Sequence, residues 1–315
     1  MTKIYLITGF LGSGKTTFLQ KYLEDNQVKT GVLMNEFGQV SIDTSLIKRE
    51  DMNFVELTNG SIFCSCLKTD FIDGLVTLAG SGLDTIYVES SGLSDPSNVT
   101  GILDLVKAKS RSEIEFCGTI CLVDGLYFFE ELDKLVAVEK QIKHSHVVLI
   151  NKCDLIDDTK VEKIRLKILE INNQAQICKT VNGWSKELND IVNVKHTLVI
   201  QDEETSNTEE AKPKTYSLNL KNKVKEEDLV VFLEKVACGF YRIKGLVEVD
   251  DKLLKVDSVG SKIDIREAYD KEKNQYKQNL QGSTLVFLAS DGIKSFSMLV
   301  SKSQEIFGDI VDISV

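Results

Sequence analysis

Over residues 1–195 the apolar positions alternate between two textures. Short, β-branched, nearly continuous apolar runs lie at 4–8, 31–34, 84–90, 117–123 and 146–150. Between them, residues 16–23, 70–79, 103–108 and 161–171 space their apolar side chains at helical intervals. A strand apolar along its whole length is one covered on both faces, which is how helices bury a parallel sheet. The alternation therefore predicts an α/β fold, a parallel sheet flanked by helices.

The texture then changes. Residues 201–214 read QDEETSNTEEAKPK, polar, acidic and holding one of only two prolines, so 196–214 reads as a solvated linker. Beyond it, 215–220 alternates, 226–236 is helical, strands fall within 239–249 and 253–259, and a strand at 285–289 precedes a helix over 293–306. The expected organisation is a domain over 1–195 and a smaller α+β domain over 215–315.

Composition narrows the class without naming it. Across 315 residues, 42% hydrophobic and 27% charged describe an ordinary globular chain with enough apolar material for a core. The balance of 48 acidic against 38 basic residues gives a net charge of −10, which argues against nucleic acid or an anionic membrane as a general partner. No apolar run approaches the ~20 residues of a membrane span, and the amino terminus leads into a helix and not a cleavage site, so a cytoplasmic location is expected. Seven cysteines, an odd number, argue against a disulfide framework. Cys117, Cys121, Cys153, Cys178 and Cys238 sit in or beside apolar runs, where buried thiols are common. Cys64 and Cys66 stand in a polar, loop-like setting.

The chemistry begins at Gly9-Phe-Leu-Gly-Ser-Gly-Lys15-Thr16, which matches G-x-x-x-x-G-K-[ST] between an expected strand and an expected helix. Glycines let backbone N–H groups wrap phosphate oxygens without a Cβ in the way, and the helix N-terminus adds partial positive charge. Gly9, Gly12, Ser13, Gly14, Lys15, Thr16 and Thr17 form the phosphate-binding set. Lys15 reaches the β- and γ-phosphates and Thr16 ligates Mg²⁺. The run Ile86-Tyr-Val-Glu89 brings a carboxylate to a strand's C-terminal end, where open α/β sheets place ligands. Glu89 either holds Mg²⁺ through water or orients the hydrolytic water. Leu93 follows Gly92 where Ras-like GTPases carry a water-positioning glutamine, so intrinsic hydrolysis should be slow.

The base is read from Asn151-Lys152-Cys153-Asp154, an N-K-x-D at the end of an apolar run. A carboxylate at Asp154 can accept from guanine N1–H and the 2-amino group, and adenine offers neither donor there; such sites discriminate by ~10⁴ or more. Asn151 is expected to tie this loop to the phosphate loop and read the base carbonyl, with the Lys152 stem covering the ring. The nucleotide is therefore GTP.

These residues, with Asn35-Glu-Phe-Gly38, Ile42-Asp43, Glu89-Ser-Ser-Gly92-Leu-Ser-Asp95-Pro96 and Tyr241-Arg-Ile-Lys244-Gly245, resemble the CobW family of SIMIBI-class P-loop GTPases across nearly the whole chain. The resemblance implies a GTPase that delivers or inserts a metal ion (Zn²⁺, Co²⁺ or Ni²⁺), or services a metallocofactor enzyme. Its client, a metalloenzyme or cofactor-dependent protein, would contact the C-terminal domain, and a homodimer stays open. Asp43 is then a switch carboxylate, catalytic with Lys15 and Glu89 and a third Mg²⁺ ligand with Thr16 and Glu89. From its polar setting alone, Asp43 reads equally as an exposed loop acid.

One motif departs from the family pattern. N-G-C-x-C-C is replaced by Asn59-Gly60-Ser61-Ile62-Phe63-Cys64-Ser65-Cys66, in which Ser61 and Phe63 stand where two cysteines are expected. In extended backbone Cys64 and Cys66 point the same way and could chelate one soft ion, with Glu36, another subunit or a client completing it. Three functions stay open: a metal-delivering GTPase, a GTPase chaperone that loads or reactivates a cobalamin or metallocofactor enzyme without carrying metal, and a nucleotide-gated metal sensor or store. Of the three histidines, His144 and His146 precede a buried strand and read as structural. Arg242 and Lys244 share a strand face and would meet an acidic partner, the nucleotide or solvent. Trp184 is expected to anchor the loop near the base.

Overall fold

The computed structural model describes residues 1–24, 29–35, 53–57, 68–110, 112–192, 214–270, 272–273, 276, 282–289 and 291–314. The chain divides into two compact units, Met1–Ala211 and Lys212–Val315. Most of the 196–214 tract lies outside the described residues. Among the described residues no helix is long and apolar enough to cross a membrane.

In the first unit, β1 (Thr2–Gly9), β2 (Thr30–Asn35), β3 (Asn53–Leu57), β4 (Thr85–Glu89), β5 (Ile114–Asp124), β6 (Val147–Asn151) and β7 (Gln176–Lys179) form one sheet in the order β3-β2-β4-β1-β5-β6-β7. Every pairing is parallel. The helices are α1 (Lys15–Glu24), α2 (Lys68–Ala79), α3 (Val99–Lys109), α4 (Phe128–Lys134), α5 (Val136–Lys143), α6 (Asp158–Ile171) and α7 (Leu188–Val192). Successive residues of β1 serve opposite faces. Ile4 and Leu6 pack with Leu75 and Leu78 of α2 and Ile102 and Val106 of α3. Tyr5 and Ile7 pack with Phe18, Leu19 and Tyr22 of α1 and Leu188 of α7. This two-sided burial is why the strand is apolar throughout. The strand order reverses beside β1, with β4 on one side and β5 on the other, and ligands of open α/β sheets bind at the strand ends beside such a reversal.

The second unit is an antiparallel sheet in the order β11-β10-β9-β12-β8-β13, built from β8 (Thr215–Leu220), β9 (Phe240–Val249), β10 (Lys252–Val259), β11 (Lys262–Glu267), β12 (Ser283–Ala289) and β13 (Val311–Ser314). Helices α8 (Glu226–Val236) and α9 (Gly292–Phe307) cover one face through Phe232, Leu233, Leu299 and Phe307. Ile243, Val247 and Val249 of β9 point to them, so Arg242 and Lys244 do share the opposite face. Arg242 reaches Asp257 of β10 with Nη2 at 3.3 Å and Nε at 3.4 Å from its two carboxylate oxygens. An acid of the same sheet thus occupies the guanidinium.

Two cysteine expectations divide. Cys121 and Cys178 are buried and Cys117 and Cys153 half-buried, but Cys238 is exposed, because it lies in the short turn joining α8 to β9 and not in either element. His144 and His146 are both buried, and His146 Nδ1 accepts from Thr119 N at 3.0 Å, a structural bond across the sheet.

Candidate functional site

The loop between β1 and α1 is shaped by glycines that no other residue could replace without strain. Gly9, Gly12 and Gly14 have φ of +136°, +76° and +102°, the left-handed side that L side chains rarely adopt. A Cβ on Gly14 would stand 2.4 Å from Asn151 Nδ2. The loop is thus a backbone cradle closed on both sides, with Ser13 fully buried in it and Ser13 N donating to Phe10 O at 3.2 Å. Lys15 is buried and donates to the carbonyls of Gly9 at 2.9 Å and Phe10 at 3.0 Å. Its ammonium therefore lies along the loop's own wall, while Thr17 is exposed in the first turn of α1.

Glu89 closes β4, opposite Ile7 of β1 and Met34 of β2 in register. Thr16 Oγ1 donates to Glu89 Oε1 at 2.8 Å. One hydroxyl and one carboxylate at the mouth of a phosphate cradle are the hard oxygen donors that Mg²⁺ takes, so the pair fits that ion. The segment after Glu89 is laced in place. Gly92 lies so close to the phosphate loop that a Cβ would come within 2.6 Å of Leu11 N. Gln141 of α5, itself buried, donates from Nε2 to Gly92 O at 3.1 Å and Ser94 O at 3.0 Å. Lys140 pairs with the fully buried Asp95 at 3.3 Å.

The loop expected to read the base leaves β6 at Asn151. This buried amide donates to Ser13 O at 2.8 Å and accepts from Thr180 Oγ1 at 3.1 Å and Gly183 N at 2.9 Å. It is the expected tie to the phosphate loop; with its oxygen taken up by Thr180 and Gly183, the group that would meet a base carbonyl is the second N–H of the same Nδ2. Asp154 is exposed on the following turn, free to meet a base edge. The Lys152 ammonium bonds to Asp124 Oδ2, at the end of β5, which directs the stem toward that carboxylate. The turn holding Trp184 is anchored by its backbone: Val181 and Trp184 exchange N–H···O bonds of 3.1 Å, and a Cβ on Gly183 would sit 2.6 Å from Phe18 Cα of α1. The indole itself is 40% exposed.

Glu131 of α4 is buried near this loop. Burial first, and then the negative charge of Asp124, push its carboxyl up to about 8. The folded chain thus keeps a proton that the unfolded chain releases above about 4.5. Folding is favoured by this difference at low pH, and the contribution is lost as pH rises from about 4.5 to about 8. Glu131→Gln is expected to raise stability at pH 9 by on the order of a few kcal/mol and to leave it nearly unchanged at pH 4. Urea midpoints of both proteins across that range check this; parallel curves would refute it.

The structure brings together Lys15, Thr16 and Glu89, and joins Asn151 to the phosphate loop. Glu36, Asp43, Cys64 and Cys66 lie outside the described residues. Among the described residues no group of three or more His, Cys, Asp or Glu could hold a metal ion. Sequence reasoning missed Asp124 and Gln141. Asp124 ends an apolar run as Glu89 does, and that parallel was the available signal; Gln141, inside a charged helical stretch, offered none.

The family described as CobW/HypB/UreG, nucleotide-binding domain, matches residues 3–179. The zinc chaperone YjiA of Escherichia coli K12 is 30% identical over 186 residues, 57% of this chain and 58% of that protein. The zinc-regulated GTPase metalloprotein activator 1 of Schizosaccharomyces pombe is 29% identical over 221 residues, 65% of this chain and 51% of that protein. The chain spans about half the length of the curated relatives it matches. The crystal structure of Zn(II)-bound YjiA GTPase from E. coli aligns over 97% of this chain and 98% of that one at 20% identity, with a TM-score of 0.45.

Proposed function

This chain belongs to the CobW/HypB/UreG nucleotide-binding family, and from that footing we propose that it is a GTP-hydrolysing metallochaperone that hands a metal ion to a client protein. The observation that carries the nucleotide half is the bond from Thr16 to Glu89 at 2.8 Å beside a glycine cradle, with Asp154 exposed on a loop braced to that cradle by Asn151. Hydrolysis moves the γ-phosphoryl group of GTP to water and breaks its bond to the β–γ bridging oxygen. Lys15 supplies a fixed positive charge at the phosphates, and the loop's N–H groups orient them. Thr16 and Glu89, with Asp43 as third ligand, would hold Mg²⁺. Bound there, Mg²⁺ supplies charge that neutralises the phosphate oxygens. Glu89 also accepts a hydrogen bond from the attacking water and so aligns it. With Leu93 in place of a glutamine, turnover is slow until a client engages.

The metal half is supported by the relatives named for zinc. The cargo reading places Zn²⁺, or Co²⁺ or Ni²⁺, on Cys64 and Cys66 with Glu36, thiolates suiting a soft ion. The client is a metalloenzyme that meets the second unit, the protein working in the cytoplasm as a monomer or homodimer. A second reading is favoured by Ser61 and Phe63, which replace two thiols of the family motif: a chaperone of a cobalamin or other metallocofactor enzyme that carries no metal itself. Zinc titration with GDP and with a non-hydrolysable GTP analogue separates them. The carrier should show about a tenfold difference in affinity between the two states, lost in Cys64→Ser/Cys66→Ser. Equal affinity in both states would sink the coupling, and an unchanged double variant would favour the second reading.

A further inference from the structure

The nucleotide-facing end of β5 carries a buried acid whose partners all belong to the neighbouring loops. Asp124 is the last residue of β5, in register with Asn151, the last of β6. It is 2% exposed. Its Oδ1 accepts from Leu126 N at 2.9 Å, and its Oδ2 forms the hydrogen-bonded ion pair with Lys152. Gly125 N donates to Asn151 O at 2.9 Å, so the two strand ends are cross-linked twice, once by backbone and once by charge.

Lys152 is an unusual residue to hold. Its backbone lies in the left-handed region, φ +62° and ψ +35°, where an L side chain is uncommon. It is followed at once by the short turn Cys153–Leu155 that carries Asp154, and Leu155 N closes that turn on Lys152 O at 3.0 Å. The direction in which Asp154 leaves the strand is therefore decided at Lys152. The backbone here is also held by Cys153 N, which donates to Thr180 O at 3.2 Å, and the half-buried Lys152 side chain, long and costly to order, needs a hold of its own. A buried carboxylate gripping its ammonium supplies the constraint, and a charge-assisted bond in a poorly solvated place is the strong kind.

We propose that Asp124 is the positioning residue of the guanine-reading loop: by holding Lys152 in its left-handed turn, it aims Asp154 at the base. The proposal rests on the guanine reading of Asp154 given above. Asp124 itself does not touch the base, and Lys152 acts as its strut.

The test compares affinities for GDP and inosine diphosphate, measured by titration calorimetry on the full chain. Inosine lacks the 2-amino group, so the ratio of the two dissociation constants reports one contact to Asp154. The wild type should favour GDP by about tenfold or more. Asp124→Asn keeps the acceptor for Leu126 N and removes the charge that holds Lys152. The ratio should then drop at least threefold, toward one. Lys152→Met should lower it alike, and the double variant no further, since one strut is lost in all three; should Asp124→Asn fail to fold, Lys152→Met carries the same expectation. A ratio unchanged from wild type, with both affinities weakened equally or not at all, overturns the proposal. A wild type that binds ADP as well as GDP instead removes the guanine reading itself, and the proposal with it.

Discussion

Asp154→Asn is expected to exchange the base that the protein selects, from guanine to xanthine. Asp154 is exposed on a turn whose root, Asn151, is fixed to the phosphate loop by a 2.8 Å bond, so a nucleotide seated by its phosphates presents its base to a loop of set position. A carboxylate accepts from guanine N1–H and the 2-amino group together. Asparagine turns one of those acceptors into a donor, which clashes with the 2-amino group and matches the 2-oxo group of xanthine. Two charge-assisted hydrogen bonds are at stake, each worth about 1.5–3 kcal/mol. At 1.4 kcal/mol per factor of ten, GDP should weaken by roughly 100- to 10,000-fold. Xanthosine diphosphate should bind the variant at least as tightly as GDP does. Competition between the two nucleotides on wild type and variant measures this directly. Asn151→Ala is the contrasting change, because it loosens the tie to Ser13 and should weaken every nucleotide alike. A variant at Asp154 that lost all nucleotides equally would mean that this residue supports the fold and does not read the base.

The parts of this arrangement legible in the sequence share a physical cause, as do the parts that were not. The interior strands β1, β2, β4, β5 and β6 are apolar on both faces, so their runs stand out from their surroundings; interior strands β8, β9, β10 and β12 of the second sheet alternate or carry β-branched runs. The four strands with no clear sequence signal, β3, β7, β11 and β13, are the four edges of the two sheets. An edge strand has a neighbour on one side only and is commonly short, polar or charged, which reads as loop. KIDIRE of β11 and QICK of β7 are cases in point. Helices α4 and α5 were hidden by the break at Leu135, which divides one helical pattern into two short ones. The glycine cradle was legible because its chemistry is local. The nearness of Thr16 to Glu89 was legible because both were expected at the Mg²⁺ ion, one at a helix start and one at a strand end. The Asp124–Lys152 pair needed the additional knowledge that β5 and β6 are neighbours, which no local pattern carries. Without it, the N-K-x-D motif gave no sign that a carboxylate one strand away holds the ammonium.

Gly9→Ala is expected to cost the first unit about 3 kcal/mol or more and to abolish nucleotide binding. The glycine closes β1 with φ +136°, and a Cβ there would lie 2.2 Å from Leu122 O and 2.9 Å from Ser13 Oγ. Leu122 is its register partner on β5, so the offending atom is backbone of an interior strand and cannot rotate away. Relief requires β1 and β5 to separate at the edge where the phosphate loop starts. Strain at a disallowed φ contributes about 1–3 kcal/mol and forced overpacking a similar amount. A domain stable by only about 5–15 kcal/mol would feel that as a large share of its margin. Gly82→Ala separates the two causes. That glycine also has positive φ, +67°, but nothing lies within 4 Å of its added Cβ. It should lose only the conformational part, about 1 kcal/mol, and keep nucleotide affinity. Urea midpoints and GDP affinity measured on both variants decide the matter. If the two alanines cost the same, the close approach of β1 to β5 does not set the phosphate loop. If Gly9→Ala alone loses GDP, the cradle depends on the strand contact beneath it. The site's precision would then come from the parallel sheet, which fixes Gly9, Glu89 and Asn151 at strand ends along one edge before any ligand arrives.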